Sequence, residues 1–346
     1  MFLQTLSNQV PDYSLRQEEM WARIRELSEV TRLKDSSRAL LRRVLQNASG
    51  IEKRHFCSED LEALFQEGPE ALNHRFERDA PQLGLKALRS ACEQAAIQPS
   101  ELDALFVCTC TGYLCPGVSS YVAEKMECRD DCQLIDLVGL GCGAAIPTLR
   151  QAANWLQSHP EHTVACLAVE VCSAAFYLDD DAGVLISAAL FGDGASASIW
   201  KGKETSTARA EVRTSDFNTL HLPENRELLR FTNAGGKLKN LLASTVPGLA
   251  ADAVSRLVPH EQMNHPEQLL IHPGGTKVID AISSRYQDQE LSASRSVLER
   301  FGNLSSPSIM FCLEAAMKSA GGDSNQFDLC SFGAGFSAHS CKVYSA

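Results

Sequence analysis

The sequence has no apolar run approaching the roughly 20 residues that span a bilayer, and its N-terminal stretch has no basic segment followed by an apolar core. We therefore expect neither a membrane span nor a secretion signal. Positive charge is also scarce, because 32 Lys and Arg stand against 43 Asp and Glu and the net charge is -11. This balance argues against general binding to nucleic acids or membrane surfaces.

Recognisable metal motifs are absent as well, since the chain contains neither HExxH nor paired CxxC segments. The cysteines that stand close together in sequence, 108, 110, 115, 128 and 132, fall across a predicted strand, a loop and a helix, so we predict no metal site. The chain has 13 cysteines, an odd number spread over 346 residues, which is not the framework of a small secreted protein. A reducing cytoplasm is the predicted compartment.

Apolar periodicity alternates between helix and strand along the chain. In the first half, helices are predicted at residues 76–96, 118–126 and 144–157, and strands at 102–110, 132–137 and 163–171. The second half repeats the order, with strands at 269–271 and 328–332 and a helix at 277–286. This alternation predicts an α/β fold. The composition becomes more polar near residues 200–215. This change predicts a division of the chain into an N-terminal half, 1–210, and a C-terminal half, 211–346.

The segment DLVGLGCGAAIPTLR ends an apolar run in a glycine-rich turn and begins a helix at once. It places the Cys142 thiol at a helix start, where unpaired N–H groups and the helix dipole favour the thiolate. Glycines on either side let a substrate carbonyl approach the backbone closely. The alternative is an inert buried cysteine, because most cysteines of this kind serve packing.

Two further polar residues stand at ends of predicted elements. His272 follows a strand and precedes Pro273-Gly274-Gly275, which could aim its ring into a site, although the position fits a core histidine equally well. Asn303, in GNLSS, offers an amide that is neutral at every pH, and a helix cap or turn residue is the alternative.

These motifs resemble those of the type III polyketide synthases, the chalcone synthase-like family of thiolase-fold condensing enzymes. GLGCGAA, IHPGG and GNLSS are similar to that family's cysteine, histidine and asparagine motifs and occur in the same order. Supporting segments match too: SGIEKRHF, VCTCTGYLCPG, VEVCS, LFGDGASA and SFGAGFS. Cys115 before Pro116, Gly143-Ala144 after the cysteine, and Ala334 differ from the plant pattern, so the resemblance is to a bacterial type.

The resemblance implies a thiolase-like α/β fold of two similar halves in αβαβα layers. It implies that Cys142 is the nucleophile and that His272 and Asn303 are its partners in decarboxylative Claisen condensation of an acyl thioester with a malonyl thioester. The substrate pocket is expected to include nine residues: Thr111, Cys115, Gly143, Phe191, Gly274, Gly275, Gly333, Gly335 and Phe336. Arg42 and Arg43 could meet coenzyme A or carrier phosphates, although solvated helix arginines are commoner.

The same resemblance implies a homodimer without a cofactor, taking coenzyme A thioesters or acyl carrier protein thioesters as substrates. Three alternatives remain at this point. The first is a single-condensation 3-oxoacyl-carrier-protein synthase III-like enzyme, the second is a Cys/His hydrolase acting on thioesters, and the third is a catalytically silent subunit that only shapes a partner's pocket. Retention of all three polar residues argues against the silent subunit. The family also has aromatic residues that gate the pocket. The sequence does not identify which residues of 214–240 correspond to them.

Overall fold

The computed structural model describes residues 1–203, 212–266, 268–319 and 325–345. The strands are β1 (Phe2–Gln9), β2 (Ser14–Arg16), β3 (Lys53–His55), β4 (Ala104–Cys108), β5 (Gln133–Leu137), β6 (Thr163–Glu170), β7 (Gly194–Lys201), β8 (Arg213–His221), β9 (Leu229–Ala234), β10 (Lys237–Leu242), β11 (Leu269–Ile271), β12 (Asn325–Gly333) and β13 (Ser337–Ser345). The α-helices are α1 (Gln17–Ile24), α2 (Ser28–Thr31), α3 (Asp35–Arg43), α4 (Leu61–Gln66), α5 (Pro69–Ala95), α6 (Val118–Met126), α7 (Ala145–Ser158), α8 (Ala182–Leu190), α9 (Val246–Leu257), α10 (Thr276–Ser283), α11 (Ser292–Phe301) and α12 (Ser308–Ser319).

Nine strands form one mixed sheet in the order β11-β12-β13-β8-β1-β7-β6-β4-β5. The pairs β4–β5, β4–β6 and β11–β12 are parallel, and the pairs that join them are antiparallel. The two halves of the chain meet where β1 pairs with β8 through Phe2 and Arg213. Among the described residues, strand β5 has a neighbouring strand on one side only, so its other edge is unpaired there.

The helices lie in three layers around this sheet. Helix α7 contacts β4 and β6 on one side and β12 and β13 on the other, and α12 contacts β1, β11 and β12. These two helices therefore form a central layer between the strands of the two halves. Helices α5 and α6 cover the outer face of the first half, and α9 packs on β8, β12 and β13 beside α10. Separate apolar cores fill each interface, as the αβαβα arrangement requires.

The predicted elements are found with small changes in their ends, except that α5 begins at Pro69 because proline suits the first turn of a helix. The strands that were not predicted are β1, β2, β3, β8, β9, β10 and β13. The predicted boundary at residue 210 lies outside the described residues. Within the described ranges, no helix is long and apolar enough to cross a membrane.

Candidate active site

Cys142 lies in a 3₁₀ turn, Gly141–Gly143, between the end of β5 and the start of α7. Gly141 has φ +60°, a conformation that glycine adopts without strain. The C-terminal loop, which joins β12 to β13, packs against this turn. A Cβ on Gly333 would lie 2.5 Å from the Leu140 carbonyl oxygen and 3.0 Å from the Cys142 nitrogen, so only glycine fits there.

The Cys142 thiol is surrounded by groups that favour its ionised form. A hydrogen bond from the Cys110 thiol contributes most, and His272 adds a hydrogen bond and positive charge, so the pKa of Cys142 falls well below the usual thiol range although burial opposes this. The Ser305 hydroxyl also donates to the Cys142 sulfur at 3.2 Å. Cys142 and Glu170 together raise the pKa of Cys110. The negative charge of the pair therefore lies on Cys142.

His272 directly follows β11 and is 1% exposed. Its backbone N–H donates to the Cys330 carbonyl, which continues the β11–β12 pairing, and its ring packs edge-on against Phe332 at a centroid distance of 5.4 Å. The Nδ1 atom is buried and has no hydrogen-bond partner in the described structure. Nε2 is therefore the ring nitrogen left to interact with Cys142, whose pKa His272 lowers.

Asn303 is held by both its backbone and its side chain. Its N–H donates to the Leu190 carbonyl at 2.9 Å, and its carbonyl accepts from Gly192 N–H at 3.0 Å. The side-chain oxygen accepts from Ser305 N–H at 2.8 Å, whereas Nδ2 makes only a long 3.4 Å contact with the Gly274 carbonyl. The amide donor therefore points towards the segment that follows His272 and is available for a substrate oxygen.

A mostly apolar cavity opens beside Cys110 and Cys172. It is lined by Cys110, Thr111, Cys172, Ala175, Phe176, Tyr177, Val184, Ser187, Ala188, Phe191, Phe231, Leu238, Asn240 and Ser305. Of the predicted pocket residues, Thr111 and Phe191 belong to this wall. The β9–β10 hairpin supplies Phe231, Leu238 and Asn240 from a segment in which the sequence predicted no individual residue.

The glycines predicted to line the pocket are not among the residues that line the cavity. They instead set the backbone conformation beside the site. A Cβ on Gly143 would lie 3.1 Å from the His339 ring, and one on Gly274 would lie 3.7 Å from His272 Nε2. Gly275 and Gly335 have φ +148° and +123°, at the start of α10 and in the C-terminal loop.

Two other predicted pocket residues lie away from the cavity. Cys115 is exposed on the loop after β4, and Phe336 is fully buried and stacked on Phe332 in the C-terminal core. Arg42 and Arg43 are exposed on α3, and Arg42 donates to the Gln46 side chain. Their interaction with phosphates stays a prediction.

Three residues that the sequence did not single out belong to the site: Cys110, Ser305 and Glu170. Each lies inside a segment already matched to the family, respectively VCTCTGYLCPG, GNLSS and VEVCS. The segments were a usable signal, but only the fold shows which of their side chains face Cys142. No group of three or more possible metal ligands occurs among the residues that the structure describes.

Comparisons with known proteins agree with this geometry. Residues 11–221 match the family model described as FAE1/type III polyketide synthase-like protein, and residues 232–341 match the C-terminal domain of chalcone and stilbene synthases. The 1,3,6,8-tetrahydroxynaphthalene synthase of Streptomyces griseus is 26% identical over 324 residues, covering 90% of this chain and 85% of that protein. The 3,5-dihydroxyphenylacetyl-CoA synthase of Streptomyces toyocaensis is 28% identical over 286 residues, covering 78% and 73%.

Solved structures share the fold along the whole chain. The 1,3,6,8-tetrahydroxynaphthalene synthase of Streptomyces coelicolor A3(2) superposes with a TM-score of 0.86 at 21% identity, covering 100% of this chain and 99% of that one. PKS-I of the brown alga Ectocarpus siliculosus gives a TM-score of 0.89 at 20% identity, covering 99% and 98%. The predicted thiolase-like fold is confirmed. Because one family model alone spans more than half of the sequence, the chain belongs to the type III polyketide synthase family.

Proposed function

We propose that this chain is a condensing acyltransferase in which Cys142 carries an acyl starter and accepts extension units from a malonyl thioester. The observation that carries the proposal is that Cys142, His272 and the Asn303 amide lie together near a mostly apolar cavity. An ionised thiol attacks thioesters, and the cavity gives an acyl chain an apolar place to reside.

In the first step, the Cys142 thiolate attacks the starter carbonyl and expels the carrier thiolate, which takes up a proton. In the second step, the malonyl carboxylate leaves as carbon dioxide, and its bonding electrons form an enolate. N–H donors on His272 Nε2 and Asn303 Nδ2 stabilise the enolate oxygen. The enolate carbon then attacks the acyl carbonyl, one C–C bond forms, and Cys142 leaves as the thiolate.

Coenzyme A is the proposed carrier, because a relative at 28% identity is named as a synthase of a coenzyme A thioester. The family match favours neither a single-condensation carrier-protein enzyme nor a silent subunit. We also propose that no cofactor takes part, since the N–H donors of His272 and Asn303 suffice for an enolate in a dry site.

A homodimer in the cytoplasm completes the proposal. Strand β5 leaves one edge unpaired among the described residues. Of the large apolar side chains that stay exposed in the described ranges, Ile135 lies on β5, Val138 directly follows it, and Tyr113 lies on the loop after β4. An exposed apolar edge strand is a template for pairing with a second copy. All thirteen cysteines are free thiols, which suits a reducing compartment.

The test is release of labelled carbon dioxide from radiolabelled malonyl-coenzyme A, with and without acyl-coenzyme A starters. Wild type should release it far above a Cys142→Ala and His272→Ala double variant, because that variant lacks both the nucleophile and one enolate donor. Candidate carrier proteins form a parallel arm. Equal release by wild type and double variant in every arm contradicts the condensing function.

A further inference from the structure

Glu170 is a buried carboxylate that the reaction described above does not use. It ends β6 and its side chain has no exposed surface. Burial raises the pKa of Glu170, so its charge is kept only by strong hydrogen bonding.

One oxygen of Glu170 binds the loop that follows β4. Oε2 accepts from Thr109 Oγ1 at 3.2 Å, from Cys110 N–H at 2.9 Å, and from Thr111 N–H and Oγ1 at 3.1 and 2.8 Å. Two of these donors are backbone N–H groups, which can only donate. This loop carries Cys110, whose thiol donates a hydrogen bond to Cys142.

The other oxygen binds the segment that follows Asn303. Oε1 accepts from Ser306 Oγ at 2.5 Å and lies 3.3 Å from Ser305 Oγ, whose single hydroxyl hydrogen is donated to Cys142. Ser305 Oγ also lies 3.0 Å from Cys110 Sγ and 3.2 Å from Cys142 Sγ, and its N–H holds the Asn303 amide oxygen. The two oxygens of one carboxylate therefore join two segments that are far apart in sequence and that both contact the nucleophile.

We propose that Glu170 is a positioning residue that clamps the Cys110 loop to the Asn303–Ser306 segment, and so fixes the Asn303 donor and the Ser305 and Cys110 hydrogen bonds relative to Cys142. This proposal rests on the proposed function. A buried anion beside a thiolate works against ionisation of that thiolate, so charge alone gives the site no advantage here. The advantage is the geometry of five donated hydrogen bonds, which no apolar side chain can reproduce.

The test compares Glu170→Leu with Glu170→Gln. In the Gln variant the amide oxygen can accept from the β4 loop while its NH₂ donates to the serine hydroxyls, so the clamp is kept and the charge is lost. We expect kcat for decarboxylative condensation within about threefold of wild type for E170Q. For E170L we expect a loss of about 100-fold in kcat with little change in KM for malonyl-coenzyme A, because the donor is displaced rather than removed.

The pH profile of Cys142 alkylation by iodoacetamide gives a readout that needs no substrate. It should move to higher pH in E170L, which weakens the Cys110 and Ser305 hydrogen bonds, and to lower pH in E170Q, which removes a nearby negative charge. Ser306→Ala removes one arm of the clamp and should lower kcat by about 10-fold, which keeps the proposal testable if E170L does not fold.

Asp328→Asn is the matched control, since Asp328 is also buried but is bound by Gln268 and Gln326 and contacts neither segment. It should lower stability without moving the alkylation profile. The proposal is wrong if folded E170L keeps wild-type kcat and alkylation profile, or if E170Q is as impaired as E170L. Failure of the proposed function would appear differently, as a wild type that releases no carbon dioxide while its alkylation profile still responds to these variants.

Discussion

At the scale of single residues, environment separates Cys142 from other buried cysteines of the chain. Burial raises the pKa of Cys166, Cys172 and Cys330, whereas hydrogen bonds from Cys110 and His272 lower that of Cys142. The sequence predicted this difference from the glycine turn alone. The turn explains the position of the thiol, but the groups that lower its pKa come from three other segments.

Alkylation of Cys142 should therefore persist at mildly acidic pH, near pH 6, where an ordinary thiol is almost wholly protonated. Peptide mapping after brief iodoacetamide treatment measures the rate at each cysteine. Cys115, which is exposed, controls for access. If Cys115 reacts as fast as Cys142 at this pH, the Cys142 thiolate is not stabilised.

His339 makes stability sensitive to acid. It is 4% exposed beneath Gly143, its Nδ1 bonds to Thr219, and burial lowers its pKa to about 4, with Arg150 adding to the shift. In the unfolded chain, the His339 side chain binds a proton near pH 6.5. The contribution of His339 to the free energy of unfolding is therefore fully present above that pH and is lost as pH falls towards 4.

Wild type should lose about 2 kcal/mol of unfolding free energy from this residue between pH 7 and pH 5. The free energy of unfolding of His339→Gln, measured by urea denaturation at pH 7 and at pH 5, should change less between these two pH values. Asp193, whose pKa burial raises to about 6, acts in the opposite direction in both proteins and cancels in the comparison. Parallel pH dependences would contradict the assignment.

At the scale of elements, loops from both halves make the site. The sequence predicted most helices and buried strands because their apolar periodicity is local. It missed β1, because two of the three residues on its buried face, Thr5 and Ser7, are polar. It also gave residues 201–240 no structure, although the β9–β10 hairpin there supplies one wall of the cavity. The β9–β10 hairpin has only a partly buried face, so its apolar periodicity is weak. Its position depends on packing against α8, which is not adjacent in sequence.

The loop after β12 should tolerate no side chain at Gly333. Alanine there would place Cβ 2.8 Å from the Gly143 nitrogen, and the three closest atoms are all backbone. We expect Gly333→Ala to lower kcat by about 100-fold and unfolding free energy by about 1–3 kcal/mol, because the nucleophile turn must shift.

Gly248→Ala is the matched change, since nothing lies within 4 Å of a Cβ on this glycine of α9. It should leave activity unchanged and raise stability by about 0.5 kcal/mol. Steady-state kinetics and thermal melting measure both variants. An active Gly333→Ala enzyme would show that the loop does not constrain Cys142.

At the scale of the whole molecule, one sheet joins both halves through the pairing of β1 and β8, and β5 remains at its free edge. Strand β5 also leads into the Cys142 turn. Pairing of two copies along this edge would therefore support the nucleophile of each.

Ile135→Lys should convert the proposed dimer into a monomer, because a lysine on an exposed edge strand opposes strand pairing. Ile135 is 36% exposed in the single chain, so the variant should still fold. Sedimentation velocity at micromolar concentration measures the state. Ser36→Lys adds the same charge on exposed α3 and should stay dimeric. A dimeric I135K protein would place the interface elsewhere.

The sequence by itself determined the α/β alternation, the glycine turn around Cys142, and the order of the cysteine, histidine and asparagine motifs, because these depend on residues close together in the chain. Only the tertiary structure decided which groups meet at the thiol. Ser305 and Cys142 are 163 residues apart, and Glu170 reaches 60 residues back and 136 forward, through hydrogen bonds that no local pattern encodes. Layered packing brings these segments together, since the central helices bury both halves of the sheet against one core.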